Sequence, residues 1–196
     1  MSKSPLIILA SQSSQRQLIL KELGYEFEVV PADIDEKKVR ADDLTQQAAM
    51  VALAKAEAVA KKYPEAIIIA ADTFIEDHRQ ALEKPANIAE AREMLVKQSG
   101  REVLEHTGYA YLDPLIKLNV SGTATTKVKF RNLSSVEIER YLQNEPVLTW
   151  SAAFCPAYPA GMALIDSING SFTGFTHGLP LDKLAPLLNQ SSQARS

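Results

Sequence analysis

Six consecutive apolar residues, Ala66-Ile67-Ile68-Ile69-Ala70-Ala71, run without a polar break into Asp72-Thr73. A continuous β-branched run of this length, without alternation, is the pattern of a central strand covered on both faces. Leu6-Ile7-Ile8-Leu9-Ala10 is a second run of the same kind, and it ends in Ser11, Ser13 and Ser14. Two such strands need helices on both sides of their sheet, and the rest of the chain supplies them.

Residues 6–10 read as a buried strand and 14–23 as a helix, with Leu18, Leu20 and Leu23 apolar and Gly24 as its stop. Residues 27–31 read as a second strand. An Ala-rich helix over 44–62 begins from a cap at Asp42 or Asp43 and ends at Tyr63-Pro64. Asn87 and Glu90 open a helix over 88–98, which Gly100 closes. Residues 103–112 and 116–131 form an antiparallel strand pair around Asp113-Pro114, the second alternating polar and apolar from Thr126 to Arg131. Ser134 and Glu137 make a capping box for a helix over 135–143. A late strand over 161–168, a turn at Asn169-Gly170 and a last helix opened by Pro180 follow; Pro186 should shorten or kink that helix. The polar end 189–196 should fray, so residues 1–190 read as one domain and 191–196 as a flexible tail. The sum is α/β: a mixed twisted sheet with flanking helices and an antiparallel hairpin. Ligands of such sheets sit beyond the carboxyl ends of the strands.

Net charge is −3, which offers no field to attract nucleic acid or a membrane surface, so any anion must be caught by a local cluster. The single cysteine, Cys155, excludes an internal disulfide and fits a reducing compartment. The apolar start is too short for a signal peptide and no run reaches the ~18 residues of a membrane span, which predicts a cytoplasmic protein.

Five groups of residues carry chemistry. Ser11, Ser13 and Arg16 sit where strand one meets a helix N-terminus, an end rich in free N–H groups. A cation there is disfavoured unless an anion sits beside it; the alternative is that a serine caps the helix and Arg16 is solvated. Lys55 lies in an apolar stripe of Leu44, Ala48, Val51, Ala52 and Val59, so it either snorkels or reaches an anion in a cleft. Asp72 ends a buried run, where a carboxylate must be bonded, metal-bound or in a cleft, unless it only caps the following loop. Lys84 in Glu83-Lys84-Pro85 and the acidic group Asp33, Asp35 and Glu36 complete the set, though each alone reads as surface. Together these cations, hydroxyls and carboxylates suit a polyphosphate with a divalent metal. No GxxxxGK[ST] loop, GxGxxG, HExxH or paired-cysteine zinc spacing is present, and His78, His106 and His177 are scattered.

In order along the chain, these residues resemble the Maf family of nucleoside-triphosphate pyrophosphatases. "LILAS-x-S" approximates residues 6–13, Ala71-Asp72-Thr73 matches the family's Ala-Asp-Thr, and Lys84-Pro85 its KP before a helix. Ser99-Gly100, Thr107-Gly108, Val128-x-Phe130-Arg131-x-Leu133-Ser134 and Gly178-Leu179-Pro180-Leu181 follow in family order. The resemblance implies two lobes around a cleft. It implies that Ser11, Ser13 and Arg16 hold phosphates and that Lys55 and Lys84 neutralise polyphosphate charge. Asp72 would take the proton of the attacking water, or position that water through metal, and Glu36 would join it as a metal or water ligand. Gln15 and Thr73 would tune base choice. The implied reaction is attack of water on the α-phosphorus of a nucleoside triphosphate, releasing NMP and pyrophosphate, with Mg²⁺ or Mn²⁺. Family members are often homodimers, an option that extends to this chain.

The chain also departs from the family pattern. Ser14 replaces a proline and Gln17 follows Arg16, leaving a softer and less cationic loop. Thr149-Trp150 stands where many members have Asp-Lys, and Ala157 where members carry a base-reading Gln or Glu. The absent Asp-Lys pair and the lack of Arg-Arg resemble the branch hydrolysing 7-methyl-GTP more than the dTTP/UTP branch, which implies a methylated or otherwise non-canonical nucleotide. Alanine at 157 cannot hydrogen-bond a base through its side chain, so either Trp150 or Tyr158 stacks on the base, most favourably on a cationic methylated purine, or that nucleotide selectivity is gone. The rival expectations are a non-catalytic nucleotide-binding regulator linked to cell division, and a hydrolase of another small phosphorylated metabolite.

Overall fold

The computed structural model describes residues 5–195. Its strands are β1 (Ile7–Leu9), β2 (Glu28–Val29), β3 (Ile67–Asp77), β4 (Gln80–Ala81), β5 (Glu102–Asp113), β6 (Leu118–Phe130) and β7 (Ile165–Asn169). Its helices are α1 (Ser14–Glu22), α2 (Leu44–Ala60), α3 (Ile88–Gln98), α4 (Ser135–Asn144), α5 (Pro159–Met162), α6 (Phe172–His177) and α7 (Leu181–Gln193).

The sheet is mixed, in the order β2-β1-β3-β5-β6-β7, with β4 folded back on the far end of β3. β1 runs parallel to β3, Ile8 opposite Ile68, and to β2 on its other side. From β3 onward the pairing is antiparallel, and β5 and β6 form the long hairpin expected around Asp113-Pro114. The apolar run is fully buried, as a strand covered on both faces must be. The strand does not end with the apolar run at Asp72; β3 continues to Asp77. What ends is its neighbour. Ala10 donates the last bond of that side to Ile69, and the β4 segment rejoins β3 only at Ile75, whose carbonyl accepts from the Leu82 N–H at 2.7 Å. Asp72 and Thr73 therefore lie on a strand with β5 on one side and an open edge on the other.

Two apolar clusters cover opposite faces of the β1–β3 end. One joins Leu9, Leu20, Ile69, Tyr111 and Leu184; the other joins Ile8, Ala52, Ala56 and Ile68 under α2. A third, around Leu95, Phe130, Tyr141, Phe154 and Phe175, forms the other lobe. The height of α2 above the sheet is set by Gly108 on β5, where an added Cβ would stand 1.9 Å from the Ala48 carbonyl oxygen.

Local signals were obeyed where side chains bond their own backbone. Asp43 caps α2, Asn87 caps α3, and Ser134 and Glu137 form the capping box of α4. Elsewhere tertiary packing decided. The second strand is cut to two residues on the sheet edge. The late strand starts at Ile165 rather than 161, because Pro159 opens a short helix whose Gly161 packs on the Cys155 carbonyl. α6 follows the Asn169-Gly170 turn and was not foreseen. Pro186 does not end α7, which runs through it to Gln193. The polar end expected to fray is held: Tyr111 donates to the buried Ser191 at 2.7 Å, and Arg195 forks onto Asp113 with two bonds of 2.7 Å. No helix among the described residues is long and apolar enough to cross a membrane.

Candidate active site

The open edge of β3 faces a cleft of about 660 Å³, within the usual size of small-molecule sites. One wall is the β1–α1 loop with Gln12 and Ser13, continued by Ser14, Gln15 and Arg16 in the first turn of α1. The opposite wall carries Trp150, Phe154, Cys155 and Tyr158 from the second lobe. Glu36, Lys55, Asp72, Thr73 and Lys84 line the space between. The sheet itself passes through the site. Asp72 projects to the α2 face, while Thr73 projects to the face covered by α1 and α6, so two sets of side chains reach the same edge from opposite faces.

On the α2 face, Lys55 is 8% exposed and bridges two carboxylates, Asp72 Oδ1 at 2.6 Å and Glu36 Oε1 at 2.9 Å. Lysine in an apolar helix stripe therefore reaches anions rather than snorkelling to solvent. Glu36 opens a short 3₁₀ turn capped by Asp35 and is half-exposed on the cleft. Burial pushes the Asp72 carboxyl above its ordinary value, against the pull of Lys55 and Arg16.

On the other face, Ser13 caps α1 and accepts from the Arg16 backbone N–H at 3.4 Å. No carboxylate occupies the first turn, so the positive end of the helix is unopposed. Arg16 curls off the helix: Nε donates to the Gly178 carbonyl at 2.8 Å, and its two terminal nitrogens donate to Ser11 Oγ and Thr73 Oγ1, each at 3.1 Å. All three acceptors are neutral. A guanidinium has five N–H groups, so two remain for an anion in the cleft. Burial lowers the Arg16 pKa, opposed by the charges of Asp72, Glu105 and Glu36. Lys84 is exposed on its loop before Pro85 and makes no hydrogen bond or ion pair among the described residues.

Most of the residues singled out in the sequence thus meet in one cleft. Two do not face it. Ser11 is buried behind Arg16, accepting from it and from the Ser13 N–H at 3.2 Å. Ala157 is absent from the lining, which passes through its neighbours Pro156 and Tyr158. Trp150 and Tyr158 both line the wall and stack on each other, centroids 5.4 Å apart and planes at 27°, with Gln15 Nε2 donating to the Tyr158 hydroxyl at 2.9 Å. Phe175, His177 and Glu105 also line the cleft and were missed. Glu105 had a readable signal. It is an acid on the face of β5 that carries the buried Val103, Thr107 and Tyr111.

Two carboxylates sharing one ammonium suit a hard divalent cation that completes its shell with phosphate oxygens, as Mg²⁺ does when held by one or two carboxylates. No cluster of three or more acidic, His or Cys side chains for an all-protein metal cage occurs among the described residues. The arrangement thus offers charge neutralisation, a buried base and helix-end donors around one polyphosphate-sized hollow.

The chain is similar to known proteins over nearly its whole length. A family model described as "Maf-like protein" matches residues 6–191. A 7-methyl-GTP pyrophosphatase of Xanthomonas axonopodis pv. citri (strain 306) is 35% identical over 188 residues, 95% of this chain and 97% of that protein. A dTTP/UTP pyrophosphatase of Latilactobacillus sakei subsp. sakei (strain 23K) is 38% identical over 184 residues, 93% and 99% of the two chains. Among solved structures, a HAM1 protein from Coxiella burnetii superposes with a TM-score of 0.56 at 18% identity, covering 95% of this chain and 99% of that one, which supports the fold.

Proposed function

This chain belongs to the Maf-like protein family, and on that premise we propose that it is a nucleoside-triphosphate pyrophosphatase, a hydrolase that splits an NTP into NMP and pyrophosphate. The observation that carries the reading is the convergence of Arg16, Lys55, Lys84, Asp72 and Glu36 on one cleft at the open edge of β3. Relatives named as pyrophosphatases of nucleoside triphosphates, matched over nearly their whole length, support it.

In this reading the triphosphate lies along the edge of β3. The two free N–H groups of Arg16 and the α1 N-terminus hold phosphate oxygens from one side, and Lys84 approaches from the other. Asp72 takes the proton of the water that attacks the α-phosphorus; the P–O bond to the β-phosphate breaks and pyrophosphate leaves. Its raised pKa makes it a better proton acceptor than a surface aspartate. Lys55 holds Asp72 in place and offsets the charge that builds on the phosphoryl oxygens. Glu36 and Asp72 would hold a divalent cation, Mg²⁺ or Mn²⁺, which supplies further charge stabilisation when bound.

For the base, the aromatic wall of Trp150 and Tyr158 is the supporting observation. A stacked aromatic pair on the cleft wall takes a planar base without reading its edge, and it favours a cationic methylated purine. Relatives of both substrate branches match at similar identity, so the preference rests on this wall and on Thr149-Trp150. A metal-supplemented screen of ordinary, deaminated and methylated triphosphates, read by pyrophosphate release, tests the function. Turnover of at least one triphosphate is expected; binding without turnover would mark the chain as a nucleotide-binding regulator instead.

A further inference from the structure

Glu105 has no part in the reaction just described, yet it lines the same cleft with 1% of its surface exposed. Its Oε1 meets the Thr107 hydroxyl in a short hydrogen bond. Its Oε2 makes no hydrogen bond of ordinary geometry: the Thr126 hydroxyl, nearest to the carboxyl on β6, is turned to the Ser171 carbonyl at 3.2 Å. The groups around it are Thr73 and Ile75 on β3, Thr107 on its own strand, Thr126 on β6, and Gly174 and Phe175 on α6. Arg16 is the charged group that faces it, and its guanidinium bonds Ser11, Thr73 and Gly178 rather than Glu105. Asp72 projects to the opposite face of the sheet, and His177, whose pKa burial lowers, lies at the cleft surface.

A carboxylate here would be buried with one oxygen unbonded and no cation in contact, a costly state. A neutral acid places every proton. Arg16 donates to Thr73 Oγ1, and Thr73 donates onward to Thr107 Oγ1, 3.3 Å away. The carboxylic O–H donates to the second lone pair of Thr107, whose own proton then goes to the Gly174 carbonyl at 3.1 Å. That carbonyl also accepts from the Gly178 N–H at 2.9 Å, at the turn whose own carbonyl holds Arg16 Nε. The hydroxyl chain thus joins the acid, the α6 turn and the guanidinium.

We propose that Glu105 is a positioning residue carried as a neutral carboxylic acid: its proton orients the Thr107–Thr73 hydroxyl chain that seats Arg16, and its neutrality leaves the Arg16 charge available to the substrate's phosphates. The inference rests on the pyrophosphatase reading of the cleft. With Glu105 neutral, three cations (Arg16, Lys55, Lys84) face two carboxylates (Glu36, Asp72) in the lining. Ionised, Glu105 would cancel that excess and draw the Thr107 proton away from Gly174. Burial pushes the Glu105 pKa up to about 8, which keeps the acid neutral at pH 7.

Two measurements on the full chain test this. The carboxyl ¹³C shift of Glu105, assigned by its loss in Glu105→Gln, is followed against pH. A neutral acid up to about pH 8 is expected; titration in the ordinary carboxylate range overturns the proposal. In steady-state kinetics with the best triphosphate, KM for wild type should climb toward tenfold per pH unit above that point, as the competent fraction falls, with a smaller change in kcat. Glu105→Gln keeps a donor toward Thr107 without a titrating proton, so its KM should stay flat there. Titration of the substrate itself is common to both proteins and cancels. Parallel KM profiles overturn the proposal even if activity survives. If no triphosphate is turned over, the reading it rests on fails, while the ¹³C titration still decides the state of the acid.

Discussion

Lys55 and Asp72 are 17 residues apart in sequence and 2.6 Å apart in space, on adjacent elements that no local pattern ties together. α2 delivers the ammonium and β3 the carboxylate, and Gly108, opposite Asp72 on neighbouring β5, lets α2 lie close against the sheet. Because Glu36 also binds that ammonium, one lysine orders both carboxylates assigned to water and metal.

Lys55→Met should abolish most turnover and also lower stability at neutral pH, because it strands Asp72 as a buried carboxylate without its cation. Losing one member of a buried pair costs about 3–5 kcal/mol, less whatever protonation of Asp72 recovers. Adding Asp72→Asn to Lys55→Met should restore much of the melting temperature and none of the activity. Thermal melts of the four proteins in this cycle check it; additive losses would contradict the pairing.

Arg16→Lys keeps the charge but not the fork that bonds Ser11, Thr73 and Gly178 together. KM for the triphosphate should rise by roughly tenfold to a hundredfold, the value of one or two charge-assisted hydrogen bonds. Unchanged KM would remove Arg16 from the phosphate site.

Glu105 gives stability a pH dependence with a definite sign. Its pKa is about 8 in the folded protein against an ordinary 4.5. Between those values the folded chain holds a proton that the unfolded chain has released, so raising the pH drains stability. The slope is about 1.4 kcal/mol per pH unit for one group. Glu105→Gln should therefore gain on wild type as pH rises through that window and show little difference below it. Denaturant melts at several pH values measure this, and a constant difference would contradict it.

Gly108→Ala should cost about 1–3 kcal/mol or more, since its methyl would stand 1.9 Å from the Ala48 carbonyl oxygen and something must move. If α2 lifts, Lys55 lifts with it. The variant that still folds should thus lose kcat more than its melting temperature alone explains. Full activity at wild-type KM would show that α2 height does not set the site.

Much of this was readable from residue order. The apolar runs at 6–10 and 66–71, the caps at Asn87 and Ser134, a cap at Asp42 or Asp43, and the Asp113-Pro114 hairpin announced themselves because each is decided within a few residues. The cations and acids of the cleft were visible as residues out of place: Arg16 in a first turn, Lys55 in an apolar stripe, Asp72 after a buried run. What stayed hidden depends on neighbours far along the chain. β3 outlasts Asp72 because β5 pairs with it, a fact absent from the run itself. Pro186 is absorbed where Leu184 and Leu188 bury α7 against the sheet, and Ser191 is fixed by Tyr111 from 80 residues away. Ala152 and Ala153 both adopt positive φ, 57° and 63°, in the strained wall segment beside Trp150, which no alanine advertises. Ala157 was placed by analogy, and the backbone turns its neighbours to the cleft instead.

The most direct test of the central claim is pyrophosphate release from a panel of nucleoside triphosphates with added Mg²⁺ or Mn²⁺, comparing wild type with Asp72→Asn. Equimolar NMP and pyrophosphate from the wild type, with turnover lost in Asp72→Asn while nucleotide still binds, is the expected result. Release of orthophosphate in place of pyrophosphate, or equal turnover by the two proteins, would contradict the account.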